Sequence, residues 1–291
     1  MRPFAHSDKG DLLLRVMLGT AAAIAVAAVL SIFVFLTYFA MPIFSAEGAA
    51  RMLNWEWRPT AGSYGILPMV VGSLALSVFA MTLALPTAIL VCAFAYGIGP
   101  GWLARAVMAV VNLMTGIPTI VYAFAAVVTI PPLLRRAFEQ GTGFSLLGAG
   151  CVLAVLVLPT IVLVIDSNWR GLAPVTGHTS AALGMSATQH VFGILVPVSR
   201  NGLLAATVLG FGRALGDTMI ALMLAGNVPL VPDSPLDSVR ALTAHIGVVM
   251  SLEVGGPGWQ SAFASGFILL LVTAAISITV RRFRERESSD A

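Results

Sequence analysis

Arg213 and Asp217 stand inside an otherwise apolar run, L-G-F-G-R-A-L-G-D-T from Leu209 to Thr218. A charged pair in such a run is costly and is kept where it faces a bundle interior or a water-filled path. Four residues apart on a helix, the two side chains share one face and come within pairing distance. Two chemistries fit this spacing. In the first, the charges neutralise each other and lock helix packing, with Gly212 and Gly216 as a small-xxx-small pair that lets another helix approach. In the second, the planar fork of Arg213 meets an oxyanion in transit. Asp217 then orients the guanidinium and keeps the anion from being trapped, because a transport site must release what it binds.

Other chemistries lack their residues. No G-x-x-x-x-G-K-[ST] occurs, so the chain holds no nucleotide cradle and is not expected to be an ATPase or any other enzyme. No H-E-x-x-H or cysteine cluster supports a metal, no G-x-S-x-G elbow is present, and no cofactor is expected. Cys92 and Cys151 both sit in apolar runs and read as small buried hydrophobes.

The elements that must hold Arg213 follow from composition. Of 291 residues, 58% are hydrophobic and 10% charged, against about 25% charged in a soluble domain. The net charge of +3 and pI near 9.2 would suggest nucleic acid in a soluble protein. Here the basic residues flank apolar blocks, so membrane topology accounts for them and no nucleic acid is expected. Six blocks are long enough to cross a bilayer: about 16–40, 68–96, 104–130, 146–168, 203–226 and 262–280. The fifth, with Arg213 and Asp217, is the least apolar. The first exceeds the roughly 7–15 residue core of a cleaved signal peptide and reads as a retained span.

Orientation follows from the basic residues. With the N-terminus in the cytoplasm, Arg2, Lys9, Arg15, Arg105, Arg170, Arg200, Arg281, Arg282, Arg284 and Arg286 lie inside. Arg51, Arg58, Arg135, Arg136 and Arg240 lie outside, which satisfies the positive-inside rule. Trp102, Trp169 and Trp259 fall at span ends, as interfacial anchors do. Two long outer loops, about 41–67 and 227–261, are placed to fold over the outer mouth.

The largest inner connection, about 169–202, is amphipathic. Ala181, Ala182 and Leu183 favour a short helix that Gly184 ends. Ser186 and Gln189 have capping-box spacing for a second helix, whose apolar side is Val191, Phe192, Leu195 and Val196 and whose extent Pro197 limits. This hairpin is either a lid on the bundle or a docking surface for a partner.

Gly184, nine residues, Ile194, one residue, then Val196-Pro197 resembles the cytoplasmic signature of ABC-importer permeases. In that family the loop reads Glu-Ala-Ala, three residues, Gly, nine residues, Ile, any residue, Leu, Pro, and forms the coupling helix seated on the ATPase. His178, Thr179 and Ser180 stand at the Glu-Ala-Ala positions, and Val196 stands for Leu. The run Leu209–Asn227 resembles the fifth-span segment of phosphate-specific transport permeases, the C-type subunit of the Pst system, in which the acid is usually glutamate. Gly116–Tyr122, G-I-P-T-I-V-Y, resembles a third-span segment of the same permeases.

The resemblance covers about 68–281 and implies an all-α integral membrane protein of about six spans, with a MetI-like permease core. An N-terminal span and outer loop (1–67) precede that core, and a tail (282–291) follows it. It implies a multi-pass protein of a prokaryotic inner membrane with both termini cytoplasmic. It also implies two ABC ATPase subunits, a second, paralogous permease, and a periplasmic phosphate-binding protein as partners. On the family's pattern, Arg213, Asp217 and Thr218 line the phosphate path. His178, Ala181, Ala182, Gly184, Ser186, Ile194 and Pro197 serve ATPase coupling. Another oxyanion (molybdate, tungstate or sulfate) is the alternative cargo. A secondary transporter or channel leaves the docking loop unexplained and lacks an internal repeat. A membrane enzyme using Asp166 or Asp217 lacks a second catalytic group.

Overall fold

Lipid offers no hydrogen bonds to a bare backbone, so blocks this apolar must close their amide bonds within helices. The computed structural model, described for residues 8–139, 141–252 and 254–289, is helical almost throughout. Helix α1 spans Asp8–Ala40, a short α2 spans Ala46–Met52, and a two-stranded hairpin pairs β1 (Trp57–Arg58) with β2 (Ser63–Tyr64). Then come α3 (Leu67–Ala93), α4 (Gly101–Thr115), α5 (Thr119–Phe138) and α6 (Leu146–Ala182). Short α7 (Ala187–His190) and α8 (Val196–Val198) lead to α9 (Arg200–Gly216) and α10 (Met219–Leu224). The chain ends with α11 (Leu242–Leu252) and α12 (Pro257–Ser289).

Five helices are long and apolar enough to cross a membrane, and a sixth span is counted if α9 is joined to the bent segment before it, at 73°. This is a multi-pass membrane fold, and two of the six expected spans are broken. The third divides at Gly116-Ile117-Pro118, because Pro118 has no amide to donate and holds an extended ψ of 140°. The fifth divides at Asp217-Thr218. The fourth is longer than expected: α6 runs on to Ala182, so 169–182 is helix and not loop.

Helices α3, α6 and α9 form the core. Leu153, Val157, Ile161 and Ile165 of α6 are fully buried against Ala80, Ala84 and Ala88 of α3 and Ala206 of α9. Close approaches join these helices: a Cβ at Gly210 of α9 would stand 2.6 Å from Ile161 Cγ1 of α6, and one at Gly150 of α6 would collide with Phe79 Cδ1 of α3. Gly212 and Gly216, expected to serve that purpose, have nothing within 4 Å of the Cβ position. Helix α1 lies outside this core, antiparallel to α12, where Phe39 stacks on Phe263 and meets Trp259 edge-on.

One end of the bundle carries α2, the β-hairpin and the 225–241 segment, and the other carries α7 and α8. The two loops at the first end meet: Trp57 of β1 stands edge-on to His245 of α11 at 4.4 Å. The described starts of α1 and ends of α12 lie at the α7–α8 end. Of the basic residues counted there, Arg2 lies outside the described residues, as do the side chains of Lys9, Arg281, Arg282, Arg284 and Arg286.

Candidate translocation site and docking hairpin

Helix α9 stops at Gly216, and Asp217 takes an extended conformation (φ −74°, ψ 125°). Arg213 and Asp217 are therefore not stacked on one continuous helix. Asp217 Oδ2 instead accepts the Ile220 amide at 2.8 Å and caps the short α10, as carboxylates do at helix starts. Its carbonyl accepts Thr243 Oγ1 at 2.9 Å, which ties the break to α11. Thr218 is half-buried, and its carbonyl receives the Leu222 amide at 2.8 Å.

Arg213 is exposed on an open face of α9 with Leu209 and Gly216, and it forms no ion pair among the described residues. It stays close enough to act electrostatically on both Asp217 and Tyr122. Tyr122 donates its hydroxyl to the Met114 carbonyl at 3.0 Å, bridging the α4–α5 break. Helix α5 also packs on α10. The structure thus brings together the 116–122 and 209–227 segments, which are far apart in sequence, at two interrupted helices. Irregular backbone of this kind is tolerated at membrane depth where it is buried in protein or lines a cavity.

At the other end, α6 passes into a tight turn. Gly184 has φ +70°, a left-handed conformation that suits glycine, and the Met185 amide reaches back to the Ser180 carbonyl at 3.0 Å. The capping box is present: the Gln189 amide donates to Ser186 Oγ at 3.3 Å, and the Ser186 amide donates to Gln189 Oε1 at 2.8 Å. The second helix is not a regular one. A single α-turn passes into a π-turn at Val191–Leu195, and the chain continues helically through Pro197 to Ser199.

Val191 and Leu195 are fully buried, Ile194 and Val196 are half-buried, and Phe192 points outward. His178, Ala181, Ala182, Gly184, Ser186 and Pro197 are exposed. Leu183, Gly184, Met185, Thr188, Gln189, Phe192 and Gly193 line an open groove. The two arms are joined by Thr176 Oγ1 and His190 Nε2, 2.9 Å apart.

Sequence reasoning did not find the network that fixes this hairpin to the bundle. Asp166, 6% exposed, accepts the Tyr96 hydroxyl at 2.8 Å through Oδ1, and Arg170 Nε at 2.9 Å through Oδ2. Trp169 is fully buried, and its Nε1 donates to Ser199 Oγ at 2.8 Å, so it is a packing residue and not the expected interfacial anchor. Tyr96 lies edge-on to Trp169 at 5.6 Å. The four-residue spacing of Asp166 and Arg170 was the available signal.

Broken spans beside Arg213, unpaired among the described residues, with a capped hairpin at one end of the bundle, fit a permease of the ABC-transporter class, and the comparisons give that class. No family model matches the chain. The Bacillus subtilis protein named probable ABC transporter permease protein YqgH is 31% identical over 274 residues, covering 92% of this chain and 89% of that protein. The phosphate transport system permease protein PstC of Xylella fastidiosa is 26% identical over 296 residues, covering 94% and 90%. A solved structure of the inward-facing MetNI methionine ABC transporter superposes with a TM-score of 0.53. It matches at 20% identity over 75% of this chain and 92% of that one, a likeness of fold. The chain belongs to the family of ABC transporter permeases that includes the PstC proteins.

Proposed function

We propose that this importer permease carries inorganic phosphate, with Arg213 as the residue that meets the anion. The carrying observation is that Arg213, on an open face at a helix break, has no carboxylate paired with it among the described residues, while Asp217 is occupied as the cap of α10. A guanidinium so placed offers charge-assisted, forked donors to an oxyanion, with a carboxylate near enough to weaken the hold and permit release. Likeness to the PstC proteins supports phosphate over other oxyanions. Thr218, half-buried beside the break, belongs to the same path.

In this reading the hairpin at 173–197 docks a separate ATPase subunit, with Leu183, Met185 and Phe192 as its apolar contacts. Two ATPase subunits, a paralogous permease and a periplasmic phosphate-binding protein complete the transporter. The hairpin end is cytoplasmic, with both termini, in a prokaryotic inner membrane. Residues 68–281 form the permease core, after an N-terminal span and outer loop.

The test is ATP-dependent uptake by the reconstituted transporter, using labelled phosphate against molybdate and sulfate. Phosphate accumulation that the other anions do not suppress is the expected result. Preferred uptake of molybdate or sulfate would overturn the cargo, and uptake without ATP would overturn the class of mechanism.

A further inference from the structure

Arg240 precedes α11 at the end of the bundle opposite the docking hairpin, and the oxyanion reading above does not use it. Its side chain is half-buried, and its Nε donates to the Asn227 carbonyl at 2.9 Å. The two Nη groups have no hydrogen-bond partner among the described residues. Arg240 lines a cavity of about 170 Å³ whose other walls are Trp57 and Pro59 from the hairpin region and Val248, Val249 and Leu252 from α11. No carboxylate pairs with it among the described residues. The nearby Asp237 is engaged by the amides of Asp233 and Ser234 at 2.8 and 2.7 Å.

A half-buried cation without a counter-charge is costly, and a small anion relieves that cost. Apolar walls keep the local dielectric low, so a charge-assisted bond formed there is stronger than one in open water. The cavity has room for a small anion or a few waters. Its walls are fixed by packing. Behind Trp57, His245 is fully buried, with its Nε2 3.2 Å from Ser261 Oγ. The Leu242 amide is held by Ser73 Oγ at 2.7 Å.

Arg240 is also joined to the helix break. Asn227, which holds its Nε, donates its own side-chain amide to the Leu222 carbonyl of α10. Thr243, the second residue of α11, holds the Asp217 carbonyl. Occupancy at Arg240 is therefore seated on the same backbone that shapes the surroundings of Arg213.

We infer that Arg240 is a second anion-binding residue, forming an outer site that holds a small oxyanion before it reaches Arg213. The inference rests on the oxyanion-permease reading. The experiment is phosphate uptake by the complete reconstituted transporter, titrated with liganded binding protein, for wild type, Arg240→Gln and Arg240→Lys. Arg240→Gln should lower maximal uptake about tenfold without shifting the binding-protein concentration at half-maximum. Arg240→Lys should retain most of the uptake.

Unchanged maximal uptake in Arg240→Gln overturns the inference. So does a shift in half-maximum alone, which would make Arg240 a contact for the binding protein. If Arg240→Gln does not assemble, loss of uptake in an assembled Arg240→Lys overturns it equally. A wild type that transports no oxyanion sinks the underlying reading instead. One that prefers molybdate or sulfate moves the variant comparison to that anion.

Discussion

Trp169 Nε1 donates a 2.8 Å hydrogen bond to Ser199 Oγ, so the residue where the chain leaves the 173–197 hairpin is held by the helix that enters it. Ser199 in turn donates to the Val196 carbonyl at 3.1 Å and directly precedes α9. The hairpin is closed at its base, and a displacement of its tip is carried to α6 and α9 together. Helix α9 bears Arg213.

Ser199→Ala removes the acceptor and leaves a fully buried indole N–H unpaired, a loss of about 1–3 kcal/mol. The purified transporter should melt at a lower temperature. ATP hydrolysed per phosphate transported should rise, because the base of the hairpin loosens. An unchanged ratio would show that the clamp has no part in coupling.

Asp166 joins Tyr96 of the α3 end to Arg170 of α6. Asp166→Asn keeps the shape and removes the charge, weakening both bonds. The Tyr96 bond to the buried carboxylate contributes roughly 1.5–3 kcal/mol, whereas Arg170 is 70% exposed and its pairing is screened by solvent. A modest fall in melting temperature is expected, nearly the same in high salt. A large salt-dependent fall would show that the Arg170 pair dominates.

Arg213→Gln should abolish phosphate uptake while the assembled complex still hydrolyses ATP, because Arg213 is exposed and forms no ion pair among the described residues. Uptake at the wild-type rate by the folded variant would remove Arg213 from the path.

Asp217 separates two roles. Asp217→Asn keeps an oxygen to accept the Ile220 amide, so assembly should survive while anion release slows. Asp217→Ala loses the cap, costing about 1 kcal/mol, and should lower thermal stability as well. Equal stability of the two variants would argue against the capping role.

Gly184→Pro cannot adopt φ +70°, since proline is fixed near −65°. The turn opens, and copurification of the ATPase subunit should be lost. Retained copurification would count against docking at this hairpin.

Hydropathy alone was enough to read the unbroken spans, α1, α3, α6 and α12, because lipid leaves a long apolar block only one backbone solution. The capping box at Ser186 was equally legible, since it depends on two side chains three residues apart. The helix breaks were harder. Gly116-Ile117-Pro118 carried a proline signal, but Asp217 looks like an ordinary helix position until its carboxylate is seen serving α10. The Trp169–Ser199 bond and the Arg240 cavity join segments with no shared period, so no local pattern could have shown them. The close approach at Gly210 was misplaced to Gly212 and Gly216, because spacing gives the separation of small residues and not the direction they face.

The open flank of α9 has a consequence for how the route is enclosed. Leu209, Arg213 and Gly216 are exposed, and a Cβ added at Gly212 or Gly216 would meet nothing within 4 Å. On the proposed phosphate reading, this polypeptide supplies one bank of the route. On that reading the opposite bank is built by the partner permease, so a bulky change at Gly216 should be corrected by a smaller residue in that neighbour sooner than by any second change in this chain.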